Sequence, residues 1–226
     1  MTSTWLSEER RSGLVMDGVA AACELYGNGF WGQRANSVTS LAFVAAAVAI
    51  AARGMRRPTA PGQPAQLVVF ALLVAAVGVG SLIEHGPNPQ WQAFAHDLPM
   101  AALFAFVATD AAADLLERRL AAWWWVVPTA IMVPIVALGP VAAGIGLVVL
   151  AVAAVGLSLL RAMARPDLRS RLLTGVAILG VAGLIGTLTE RTSLCRPETL
   201  LQGHAVWHIL AALALWWISP VIGTRR

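Results

Sequence analysis

Apolar residues run along this chain in blocks of about twenty, the length an α-helix needs to cross a hydrocarbon layer of roughly 30 Å. Short breaks rich in Arg, Gly and Pro separate the blocks. The pattern predicts seven helices, over 35–52, 66–85, 96–116, 121–138, 141–160, 172–189 and 200–222. Arg53, Arg56 and Arg57 follow the first, Glu117, Arg118 and Arg119 stop the third, and Gly139-Pro140 makes a tight turn between the fourth and fifth. The Trp123–Trp125 cluster and Trp216-Trp217 suit a water–membrane boundary. The predicted fold is all-α, a seven-transmembrane helix bundle over residues 34–223. An outer segment 1–33 with an interfacial helix precedes it, and a short cytoplasmic tail 224–226 follows.

Composition agrees. Of the 226 residues 58% are hydrophobic and 12% charged, about half the charge of a soluble domain, so a soluble helical protein is set aside. All sixteen basic residues are Arg. Eleven fall after helices one, three and five and at the C-terminus, and five on the opposite side. The positive-inside rule then puts the C-terminus in the cytoplasm and the N-terminus outside. Because the arginines sit in loops and not along a stripe, the basic balance implies a membrane and no nucleic acid. The opening MTSTWLSEERRSG mixes charge signs, and the apolar stretch after it is broken by Asp17, so it does not read as a cleavable signal peptide. An all-Arg, Ala- and Gly-rich chain with short loops suggests a high-GC bacterium, hence an inner membrane. No obligate protein partner is evident.

Polar groups within apolar spans are expensive and call for a reason. Ser81 and His85 are one turn apart, as are His204 and His208, so each pair shares a helix face. If helices alternate in direction, Ser81, His85, Asp97, His204 and His208 all lie near one membrane face. Three histidines and an acid at one depth suggest a catalytic zinc site with three protein ligands and an open position. Such an ion lowers the pKa of its water to about 7 and polarises a carbonyl. Asp97 then suits a general base and Ser81 an oxyanion donor. The fourth histidine, His96, points away from Asp97 and is read as interfacial. Asp110 and Asp114 lie below Asp97 on the same span; Asp110, about 20 Å deeper at 1.5 Å per residue, is expected to bond within the bundle or face the cytoplasmic interface.

The stretches CELYGNGFWGQRANS, GSLIEH, HDLPM and GHAVWHIL resemble the alkaline ceramidase family, within the superfamily of seven-helix membrane hydrolases and receptors. The resemblance reaches from the beginning to the end of the chain. It implies zinc on His85, His204 and His208, Asp97 and Ser81 as catalytic partners, and cleavage of the N-acyl bond of ceramide or a related N-acyl lipid drawn from the bilayer. The family's acidic calcium site is matched only in part. Cys23-Glu24 is present, but Ala21 and Ala22 precede it and Gln33 stands where an acid is expected. Glu24, Asn28 and Asp17 remain as oxygen ligands for Ca2+; the alternative for Glu24 is an ion pair with an outer Arg such as Arg34. Cys23 and Cys195 both fall on the outer, oxidising side, where they form a disulfide or stay as two buried thiols.

Three rivals stand beside the hydrolase. One is a receptor-like relative with a structural zinc and little catalysis. Another is a haem protein using His85 and His204 as axial ligands. The third is an intramembrane serine protease, for which GVGSLIEH lacks the nucleophile motif.

Overall fold

The computed structural model describes residues 22–56 and 62–225. Among them the regular structure is helical: α1 (Arg34–Arg56), α2 (Gln63–His85), α3 (Gln92–Leu115), α4 (Trp123–Ala137), α5 (Pro140–Ala164), α6 (Pro166–Arg191) and α7 (Gly203–Ile218), then a single 3-10 turn, Ser219–Val221. Pro64, Pro140 and Pro166 occupy first turns, where the missing N–H is no loss. Residues 22–33 run as turns and bends. The rest of the segment in which an interfacial helix is expected lies outside the described residues.

Six of the seven helices are long and apolar enough to cross a membrane. The exception is α4, whose 15 residues extend about 22 Å at 1.5 Å per residue, short of a hydrocarbon core. Residues 121 and 122, counted within the fourth predicted span, precede the helix, and Pro128 and Pro134 interrupt its backbone bonding. The other six close into a ring in which α1 packs on α2, α2 on α3, α3 on α5, α5 on α6, α6 on α7, and α7 back on α1. Outside that ring, α4 leans on α3 and α5 and buries only Met132 and Val136.

The ring packs around Phe43, Ile50, Phe70, Val74, Phe106, Leu215 and Ile218, all nearly free of solvent contact. The outer surface is also apolar. Ile145, Val148, Val149 and Val152 on α5 and Val181 and Leu184 on α6 are exposed, a surface far too apolar for water and suited to acyl chains.

One end of the ring is held by charge. Arg161 is 1% exposed and donates from Nε to Asp114 at 2.7 Å and from Nη1 to Asp110 at 3.0 Å. Its Nη2 reaches the carbonyls of Val221 and Thr224 at 3.0 and 2.9 Å. Arg165 and Arg225 add bonds to Asp114 and Asp110 at 2.9 Å. The aspartates therefore bond within the bundle, and the C-terminal tail docks onto them. Because Asp110, Asp114 and Arg161 all lie near helix C-termini, α3 and α5 run parallel and α4 returns between them. At the same end Arg53 and Arg171 lie over the Trp216 and Trp217 rings, 4.4 and 4.9 Å from the centroids, in cation–π contact.

Removing one side of a buried ion cluster strands the other. Arg161→Ala is expected to destabilise the protein by about 3–5 kcal/mol, read from unfolding in detergent. Adding Asp110→Asn and Asp114→Asn should recover part of the loss. An Arg161→Ala protein of unchanged stability would show that the cluster does not hold this end.

Candidate metal centre

The opposite end of the ring gathers the histidines. His85 is the last residue of α2, while His204 and His208 stand one turn apart at the start of α7. The His85 ring centroid lies 4.8 Å from that of His204 and 5.2 Å from that of His208, and the two α7 rings are 4.6 Å apart. One ligand atom from each residue falls within 4.8 Å of the other two. The three imidazoles predicted to share a depth thus meet at one point.

Their hydrogen bonding is asymmetric. Each Nδ1 has a partner: Gln33 Oε1 at 2.7 Å for His85, Thr39 Oγ1 at 3.2 Å for His208, and Glu190 Oε1 for His204. The Gln33 amide is oriented by its own NH2 group, which donates to the carbonyls of Ala22 and Glu24, so Oε1 faces His85 as an acceptor. A carboxylate also only accepts. The Thr39 hydroxyl gives its proton to the Ala35 carbonyl at 2.7 Å, which leaves a lone pair for His208. All three rings therefore donate from Nδ1–H, and hydrogen bonding assigns the Nε2 lone-pair tautomer to each. All three Nε2 atoms are buried and have no partner. Three convergent lone pairs without a donor, each ring braced through its far nitrogen, form a donor set fitted to a metal cation.

Close backbone approaches set this geometry. A Cβ at Gly80 would come within 2.0 Å of the Ala95 carbonyl oxygen, so α2 and α3 touch main chain to main chain beside His96 and Asp97. Gly32, at φ +36°, sits where a side chain would strike the His85 and Gly86 carbonyls at 2.5 Å. Next to it, the Gln33 N–H donates to the His85 carbonyl at 2.8 Å, fixing the bracing loop onto the end of α2.

Ser81 is fully buried one turn from His85, and its Oγ has no partner. Asp97 accepts a hydrogen bond from His96 Nδ1 at 2.8 Å. His96 is not the interfacial side chain expected: it is mostly buried, and its Nε2 lies 2.9 Å from Glu84 Oε2. Its ring centroid is 6.4 Å from that of His85, which puts His96 at the edge of the histidine cluster, with Asp97 and Glu84 on its opposite ring nitrogens.

Cys23 and Cys195 form a disulfide that ties the N-terminal segment to the α6–α7 loop. Glu24, beside it, is buried, and its oxygens accept the N–H groups of Ala35 and Asn36 at 2.8 and 2.9 Å. It caps α1, where a carboxylate suits the helix dipole, and its oxygens bond these N–H groups where the alternative reading has an ion pair with an outer Arg such as Arg34. Of the other residues considered for calcium, Asn28 is exposed and Asp17 lies outside the described residues. Tyr26, in the same loop, donates to the Glu84 carbonyl at 2.6 Å.

Sequence reasoning does not find Gln33, Thr39, Glu190 or Glu84. The rule of alternating helix direction that gathers the histidines also places Glu190, at the outer end of the sixth helix, at their depth, and is the one signal that could have found it.

No protein-family model and no curated protein matches the chain.

His208→Ala should abolish stoichiometric binding of a divalent metal, measured by elemental analysis of purified protein. Glu190→Ala removes only a brace and should weaken the metal about 10- to 100-fold in a chelator competition. Unchanged affinity would mean that Glu190 does not orient His204 for a metal.

Proposed function

We propose that this chain is a membrane-embedded zinc hydrolase that cleaves the N-acyl bond of ceramide or a related N-acyl lipid, releasing a fatty acid and an amine lipid. The observation that carries the reading is the set of three buried Nε2 atoms without partners, each on a ring braced through Nδ1. Imidazole donors suit zinc. The resemblance of GSLIEH, HDLPM and GHAVWHIL to the alkaline ceramidases supports the same residues in the same roles. Zinc held by His85, His204 and His208 would polarise the amide carbonyl and make water nucleophilic near neutral pH.

The chain's own groups supply the rest. Asp97 takes a proton from the attacking water, whose oxygen bonds to the carbonyl carbon. The partnerless Ser81 hydroxyl donates to the oxygen that gains negative charge. As the C–N bond breaks, Asp97 returns the proton to the departing nitrogen, so water is divided between acid and amine. The seam between α1 and α7 carries an apolar groove floored by Ala42, Ala46, Ala49 and Ala212, which suits an acyl chain.

In this reading α4 makes a seventh crossing by joining the two ends of the parallel pair α3 and α5. The biased distribution of Arg supports an orientation with the histidine end and the N-terminus outside and the C-terminus in the cytoplasm, and the all-Arg, Ala- and Gly-rich composition supports a bacterial inner membrane.

In a screen of N-acyl lipids, purified protein should release fatty acid, lose activity to a chelator and regain it with zinc. Asp97→Asn should keep its metal and lose turnover by about 10²- to 10⁴-fold. Normal turnover in Asp97→Asn would remove the general base from the scheme.

A further inference from the structure

The hydrolase reading leaves a partly buried cluster beside Asp97 unused. His96 stands between two carboxylates, with Nδ1 2.8 Å from Asp97 Oδ1 and Nε2 2.9 Å from Glu84 Oε2. A hydrogen bond at each ring nitrogen requires two protons shared among the three groups. Both carboxylates come from helix ends that the Gly80–Ala95 approach presses together, so the bridge joins α2 to α3 where their main chains touch. It also leaves the Asp97 oxygens unequal. Oδ1 is engaged by His96, while Oδ2 carries no hydrogen bond among the described residues.

We infer that His96, itself held by Glu84, is a positioning residue that fixes the Asp97 carboxylate by its Oδ1 and presents Oδ2 to the reacting water. The inference rests on the hydrolase reading and adds two residues to it. Asp97 sits in the first turns of α3, where its side chain has more than one staggered position to choose from unless tied. A carboxylate misplaced by about 1 Å can lose about 100-fold in rate, so a rigid second group is of direct use. Adjacent residues on a helix project about 100° apart. His96 therefore reaches Asp97 sideways through Nδ1 and keeps Nε2 for Glu84, a geometry no aliphatic or carboxylate side chain at 96 reproduces. Glu84 adjoins the ligand His85, so the same clamp holds base and metal ligand in one frame.

The test compares wild type, Asp97→Asn, His96→Ala, His96→Gln, Glu84→Gln and the His96→Ala/Asp97→Asn double variant. All are full-length proteins in detergent, assayed on a dodecanoyl ceramide bearing a fluorophore, with zinc content measured on each. His96→Ala should lower kcat about 10- to 100-fold with KM within about twofold and zinc unchanged. His96→Gln, whose amide can still donate to Asp97, should recover part of that loss, and Glu84→Gln should give a smaller loss. In the Asp97→Asn background His96→Ala should add nothing, an epistasis that general destabilisation would not produce. If His96→Ala turns over normally, or adds its full effect on top of Asp97→Asn, the inference is overturned while the zinc hydrolase stands. If the zinc-loaded wild type leaves the ceramide intact, or Asp97→Asn is fully active, the hydrolase scheme falls and the role of His96 falls with it.

Discussion

A buried nitrogen lone pair that meets no donor costs about 1–3 kcal/mol, and this bundle concentrates three of them at one point. The cost is built in, because Gln33, Thr39 and Glu190 each hold an Nδ1 and so turn the opposite nitrogen inward. A hydrophobic core gains nothing from such an arrangement. A cation in the midst of the three lone pairs offsets it, and the surrounding structure can be understood as the means of keeping the rings in place without one. The N-terminal loop supplies Gln33, α1 supplies Thr39, and α6 supplies Glu190. The ligands come from only two helices, but the frame that aims them draws on four helices and a loop.

The two ends of the ring solve different problems. The arginine end buries Arg161 between Asp110 and Asp114 and satisfies its remaining donors with main-chain carbonyls and a threonine. It is a closed polar cluster built on a guanidinium whose three nitrogens all bond, which stiffens a bundle without offering anything to a ligand. The histidine end is the reverse, a polar cluster with open valences at three imidazoles and at the Ser81 hydroxyl. The disulfide and the Glu24 cap lie at this second end and brace the loop that carries Gln33. Rigidity and reactivity are thereby separated along the length of the same helices.

Helix number and position are legible in the sequence because a bilayer-length apolar run has few other uses. The histidine cluster is legible because i, i+4 spacing and alternating direction are nearly geometric facts. The short, proline-broken α4 is harder. Hydropathy alone extends it over residues 121–138, while helical backbone bonding holds only from Trp123 to Ala137. The braces are hidden for another reason. Gln33 and Thr39 are ordinary polar residues near a helix start, and their value comes from packing against helices 52 and 169 residues away in sequence. The interfacial reading of His96 fails because adjacent helical residues project in different directions only at their Cβ atoms. An imidazole can still reach sideways to its neighbour.

Whether three imidazoles share one ion is tested most directly by X-ray absorption at the zinc edge on purified, zinc-loaded protein. The expected coordination sphere has three imidazole nitrogens at about 2.0–2.1 Å with one further oxygen. A spectrum without histidine scattering, or protein that retains no divalent metal, would contradict it.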